Sequence, residues 1–165
     1  MENIENNPII IQQISEKGSA AVVPVGNSMW PTLKNRGQTV IIGKKPERLK
    51  PLDVAIFRRK NGNFVMHRVM EVKDGYCIMC GDSQFVREKV DADSIFGVML
   101  GFYEGKKYVS CDDSEYIKSV EKLFSDEKKR KRRVKRYFFF LNLASLPKRA
   151  FNKIFRRKRK EKENG

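Results

Sequence analysis

Three short segments hold the residues that could activate a hydroxyl group. Ser28 lies in Val25-Gly26-Asn27-Ser28-Met29-Trp30-Pro31-Thr32-Leu33. The only histidine lies in Val65-Met66-His67-Arg68-Val69, and an aspartate follows in Gly81-Asp82-Ser83. A serine hydroxyl is a poor nucleophile until a base removes its proton, and an imidazole held by a carboxylate is such a base. Ser28 sits between a flexible Gly-Asn and a turn stiffened by Pro31, so the backbone presents it. His67 shares the period-2 face of Val65 and Val69, which predicts partial burial. An ordinary imidazole titrates near 6.5, which suits base work near neutral pH. Arg68 falls on the opposite face and reads as structural.

These segments resemble the catalytic boxes of type I signal peptidases, which remove leader peptides from exported proteins. The serine box is similar to the family pattern Gly-x-Ser-Met-x-Pro-Thr-Leu, and the resemblance covers about residues 19 to 105. It implies Ser28 as nucleophile and Asp82 as the acid that orients the base. His-Arg-Val at 67–69 resembles the endoplasmic-reticulum-like branch, in which histidine replaces the lysine base of the bacterial branch. None of Lys44, Lys45, Lys60 and Lys73 falls in a matching box. The resemblance also implies a second acidic residue shortly after Asp82, for which Glu88 and Asp91 are both candidates. Met29, Trp30 and Pro31 would line or rim the substrate groove. The backbone N–H of Ser28 is a candidate oxyanion donor. Gly26 stands where lysine-branch members often carry a hydroxyl donor, and Asn27 is a candidate replacement. Asp53, in Leu52-Asp53-Val54, reads as structural.

The elements that must hold these boxes are mostly strands. Ala20–Val25, Thr39–Ile42, Val54–Phe57, Phe64–Val72, Tyr76–Met79 and Ile95–Tyr103 are short apolar runs divided by turn residues. Asn61-Gly62, Asp74-Gly75 and Gly105-Lys106 mark hairpins. No helical pattern interrupts this region. The expected fold is mainly β: a partly coiled antiparallel sheet of the type that signal peptidases share with self-cleaving repressors. Before it, Pro8 to Ile14 followed by Gly18 reads as a short helix. After it, Asp112 and Glu115 form a capping box, and Ile117, Val120, Leu123 and Phe124 follow at helical spacing. The expected divisions are 1–18, 19–111 and 112–165.

The net charge is concentrated at one end. Residues 128–160 carry 16 Lys or Arg and no Asp or Glu, against a whole-chain charge of +15, so the remainder sums to −1. A near-neutral body argues against a domain whose whole surface clamps nucleic acid. Tyr137 to Leu143 adds a short apolar run inside the basic tail. This pattern points to an anionic membrane surface as partner of residues 128–160, ahead of nucleic acid. No run of about 18 apolar residues is present, unlike the family's usual N-terminal anchor. Three cysteines, Cys77, Cys80 and Cys111, with no signal peptide suggest free thiols. Together these features suggest peripheral attachment at the cytoplasmic face. Cys77-x-x-Cys80 has metal-pair spacing but falls on a strand, where it reads as two small core residues; no cofactor or metal is expected. Two functional classes result: a serine endopeptidase acting on a peptide or preprotein, and a non-catalytic module binding membrane or nucleic acid through its tail. The intact Ser28, His67 and Asp82 favour the first.

Overall fold

The computed structural model describes residues 8–34 and 37–144. One compact unit runs to Asp126 and a second begins at Glu127. The first unit is an eight-stranded, wholly antiparallel sheet with a helix before it and a helix after it. The strands are β1 (Ser19–Val22), β2 (Val40–Lys44), β3 (Val54–Arg58), β4 (Phe64–Lys73), β5 (Tyr76–Cys80), β6 (Glu88–Asp91), β7 (Ile95–Glu104) and β8 (Lys107–Ser110). Their spatial order is β1-β2-β7-β3-β4-β5-β6, and β8 pairs with β7.

β3 explains why the sequence reads as an unbroken Val-Ala-Ile-Phe run. Val54 and Ile56 enter one hydrophobic cluster, with Val40, Ile42, Met99 and Phe102. Ala55 and Phe57 enter a second, with Val69, Cys77, Met79 and Val90. A strand buried on both faces has no polar face to alternate with. Register shifts between Ile41 and Ile42, Ile56 and Phe57, and Val69 and Glu71 bend the sheet. The hairpins lie where their turn residues predict. Arg58 opposes Phe64 around Asn61-Gly62, and Lys73 opposes Tyr76 around Asp74-Gly75.

β6 has no counterpart among the expected strands. Glu88-Lys89-Val90-Asp91 offers one buried apolar residue, Val90, and is strand only because β5 supplies a ladder from Tyr76 to Met79. Cys77 and Cys80 are buried and form no disulfide with a described residue, Cys77 in the second core cluster and Cys80 beyond it, its thiol directed at the Gln84 carbonyl at 3.3 Å.

Helix α1 spans Pro8–Lys17 and delivers Ile14 to the first cluster; the Gly18 N–H closes it on the Ile14 carbonyl at 3.0 Å. Helix α2 spans Ser114–Phe124. Its N-cap is Asp113 rather than Asp112: the Asp113 carboxylate accepts from the Glu115 N–H at 2.8 Å. Val120 and Leu123 are buried, and the compact unit includes α2, whereas the sequence suggested a division near Cys111. In the second unit, helix α3 is continuous over Glu127–Ala144. Its residues 128–136 are basic apart from Val134, and 137–144 are largely apolar, so charge and apolar surface are segregated along the axis. Residues 145–160 of the basic tail lie outside the described residues. Among the described residues no helix is long and apolar enough to cross a membrane.

Candidate active site

The serine segment forms a chain of turns between β1 and β2, anchored by its own apolar residues. Met29 and Leu33 are buried in the first cluster, leaving Ser28 half-buried at the edge of a groove. Gly26 reaches φ 102°, a left-handed conformation that a side chain would strain.

The Gly81-Asp82-Ser83 turn holds this segment in place. Ser83 N–H donates to the Ser28 carbonyl at 2.9 Å, and Ser83 Oγ donates to the Asn27 carbonyl at 2.7 Å. A Cβ at position 81 would stand 2.7 Å from the Ser28 carbonyl, so only glycine allows the two segments to meet without a shift. Asp82 is fully buried and grips two elements. Its carboxylate accepts from Arg68 Nε at 2.7 Å and Nη2 at 2.6 Å, and from the Thr32 hydroxyl. Arg68 also donates to the Leu52 carbonyl at 2.7 Å and packs over the Phe124 ring of α2. Burial opposes the charge on Arg68, but the Asp82 carboxylate outweighs it and raises the guanidinium pKa. Serine segment, β4 and α2 are thereby tied to one buried ion pair.

His67 is the neighbour of Arg68 on β4 and faces away from that pair. Only 2% of its surface is exposed, and it meets the Phe57 ring edge-on at a centroid distance of 6.1 Å. Its Nδ1 lies 2.5 Å from Glu88 Oε1. The acid on the imidazole is therefore Glu88, not Asp82, because both Asp82 oxygens are directed at Arg68 and Thr32. Asp91, the other candidate, ends β6 exposed, opposite Tyr76. With Nδ1–H donating to a carboxylate, the neutral ring keeps its lone pair on Nε2. Burial lowers the pKa of His67 below 6.5; Glu88 opposes this, and Arg59 adds to it.

Ser28 and His67 line the same groove, which encloses about 270 Å³. Val22, Leu33, Ile42, Ile56 and Met66 give it an apolar floor, and Lys34, Gln38, Arg59 and Gln84 contribute polar groups. One side of the groove is an unpaired length of strand. β3 pairs with β4 from Phe64 to Arg68, but β5 joins the other side of β4 only from Arg68 onwards. Among the described residues no strand pairs with that side of Phe64–His67. No hydrogen bond joins the Ser28 hydroxyl to His67, and the Ser28 N–H donates to no described residue.

Of the residues expected to contact substrate, Met29 lines the groove. Trp30 is half-buried outside its lining. Pro31 lines a separate hollow, with Thr32, Phe102 and Tyr116. These departures share a cause: successive residues of a tight turn point in different directions, so adjacency to Ser28 does not place a side chain in its groove. Asn27, the suggested oxyanion donor, is not part of the lining either; its carbonyl is taken by Ser83. Arg59 is a groove residue that the sequence alone does not single out. It forks onto Glu88 with Nη2 at 2.9 and 3.0 Å.

Comparison with protein-family models, curated proteins and solved structures finds no match for this chain.

Proposed function

We propose that the chain is a serine endopeptidase of the signal peptidase type, with that family's β fold, which cleaves leader or signal peptides with Ser28 as nucleophile and His67 as base. The observation that carries this reading is that Ser28 shares a groove with a buried histidine whose Nδ1 is held by Glu88. Ser28 Oγ attacks the scissile carbonyl while His67 Nε2 takes its proton. The imidazolium, stabilised by Glu88, then gives that proton to the leaving amine. Water attacks the resulting acyl-enzyme, and the same base activates it. The Ser28 N–H is available for the carbonyl oxygen as it gains charge. An extended peptide would add as a strand along the unpaired side of Phe64–His67, its side chains entering the apolar floor.

The test is cleavage of a leader-peptide library by the full-length protein, with products read by mass spectrometry. Ser28→Ala should abolish cleavage, and His67→Ala should reduce turnover by about 10³-fold or more. Full activity in either variant would end this mechanism.

For α3 we infer peripheral binding to an anionic membrane. Its basic stretch precedes an apolar stretch that is too short to span, and Phe139 and Phe140 are exposed. Each Lys or Arg near an acidic leaflet would contribute about 1 kcal/mol. The full-length chain should pellet with phosphatidylserine vesicles, and a chain truncated after Asp126 should not. Equal pelleting of the two would remove this role. A tail that binds without any catalysis is the second reading of the protein; retention of vesicle binding together with an inactive wild type would favour it.

A further inference from the structure

The carboxylate that holds His67 is shared. Glu88 Oε1 lies 2.5 Å from His67 Nδ1 and 3.0 Å from Arg59 Nη2. Its Oε2 accepts from the same guanidinium at 2.9 Å from Nη2 and 3.3 Å from Nε. The Arg59 side chain is 44% exposed, but its backbone is held in place. Its backbone N–H donates to the Asn63 carbonyl at 2.9 Å and its carbonyl accepts from Gly62, which fixes it at the base of the β3–β4 turn. Glu88 is fixed in turn by the pairing of β6 with Met79. Glu88 and Arg59 thus meet on the Nδ1 side of the only histidine.

We propose that Arg59 is a positioning residue that divides the Glu88 carboxylate between itself and the His67 ring, and so sets the pH at which the imidazole can accept a proton. The catalytic consequence rests on the serine–histidine reading above; the charge sharing does not. A carboxylate given wholly to the imidazole would favour the protonated ring, which cannot act as a base. A guanidinium on the same oxygens takes part of that charge and adds a cation close to the ring. The other groups around the imidazole leave this role to Arg59. Phe57, from β3, is uncharged. Asp82, from the turn after β5, favours protonation but has its oxygens on Arg68 and Thr32, and Ser28 across the groove is neutral. The direction of the His67 shift agrees: burial lowers it most, Glu88 raises it, and Arg59 lowers it again.

Because His67 is the only histidine, its ring signals in an NMR titration of the full-length protein are unambiguous. Arg59→Gln should move the midpoint to higher pH. Arg59→Lys keeps a cation beside Glu88 but loses the fork, so its midpoint should fall between wild type and Arg59→Gln. In the cleavage assay the acid limb of kcat/KM should move to higher pH in Arg59→Gln and by less in Arg59→Lys. A residue with only a structural role would lower the plateau without moving the limb. A midpoint that stays in place or falls in Arg59→Gln overturns the proposal, even if cleavage itself is confirmed. A rise in the midpoint supports charge sharing even if no peptide is ever cut.

Discussion

His67 and Arg68 are consecutive residues of β4, and each holds a carboxylate, yet the two pairs are built differently. The Arg68–Asp82 pair has no exposed side-chain surface on either partner. Both carboxylate oxygens and all three guanidinium nitrogens are engaged, with Thr32 and the Leu52 carbonyl completing the set. The His67–Glu88 pair buries its histidine but leaves 28% of the Glu88 side chain exposed, with Arg59 as a second claimant. A saturated, dry ion pair serves to fix geometry. The His67–Glu88 pair instead keeps one end open to solvent. The alternation of β4 sets the buried Arg68 pair and the groove-lining His67 pair on opposite faces within one peptide unit.

Two substitutions should pull the pairs apart. Glu88→Gln removes the counter-charge of the imidazolium and the acceptor that fixes the tautomer, so turnover should fall by about 10²–10⁴-fold. Its stability should change little, because Glu88 lies at a partly solvated rim. Asp82→Asn should do the reverse first: it leaves Arg68 buried without its counter-charge, at a cost of about 3–5 kcal/mol. Urea unfolding of both variants beside single-turnover cleavage decides between them. If Asp82→Asn were as stable as wild type but inactive, Asp82 would be acting on the reaction directly, and the assignment of the two acids would have to be exchanged.

The contrast also shows what the sequence could and could not reveal. The antiparallel sheet and its hairpins are legible because Asn61-Gly62 and Asp74-Gly75 interrupt apolar runs of strand length. Ser28 and His67 stand out as candidates through the resemblance of their boxes, and the structure lines one groove with both. The choice of acid is not. Asp82 lies in a memorable Gly-Asp-Ser turn, but its partner Arg68 points away from His67, and only the packed structure brings Thr32, 36 positions from Arg68, onto the same pair. Glu88 reaches His67 because β6 forms against β5, and β6 is a strand by pairing rather than by propensity. Arg59 reads as one more charge in a polar hairpin until β6 is in place. Long-range pairing carries the information that local pattern lacks.

The smallest expected effect is also the most specific to the His67 side. Burial is the largest influence on His67 and places its pKa below 6.5 despite Glu88, so the ring is neutral at pH 7, as the proposed base role requires. The acid limb of kcat/KM for the free enzyme should therefore centre below 6.5. The same displacement fixes a sign for stability. Between the lowered folded value and the unfolded value near 6.5, the unfolded chain binds more protons than the folded one. Stability should decrease as pH falls through 6.5 and level off, for this group, below the folded value. His67→Phe should lack that component while keeping whatever slope the carboxylates impose, so the difference between the two denaturation profiles isolates it. An acid limb centred above 7, with a stability difference of opposite sign, would mean that Glu88 outweighs burial. His67 would then be held as an imidazolium at neutral pH, its pair with Glu88 as fixed as that of Arg68 with Asp82.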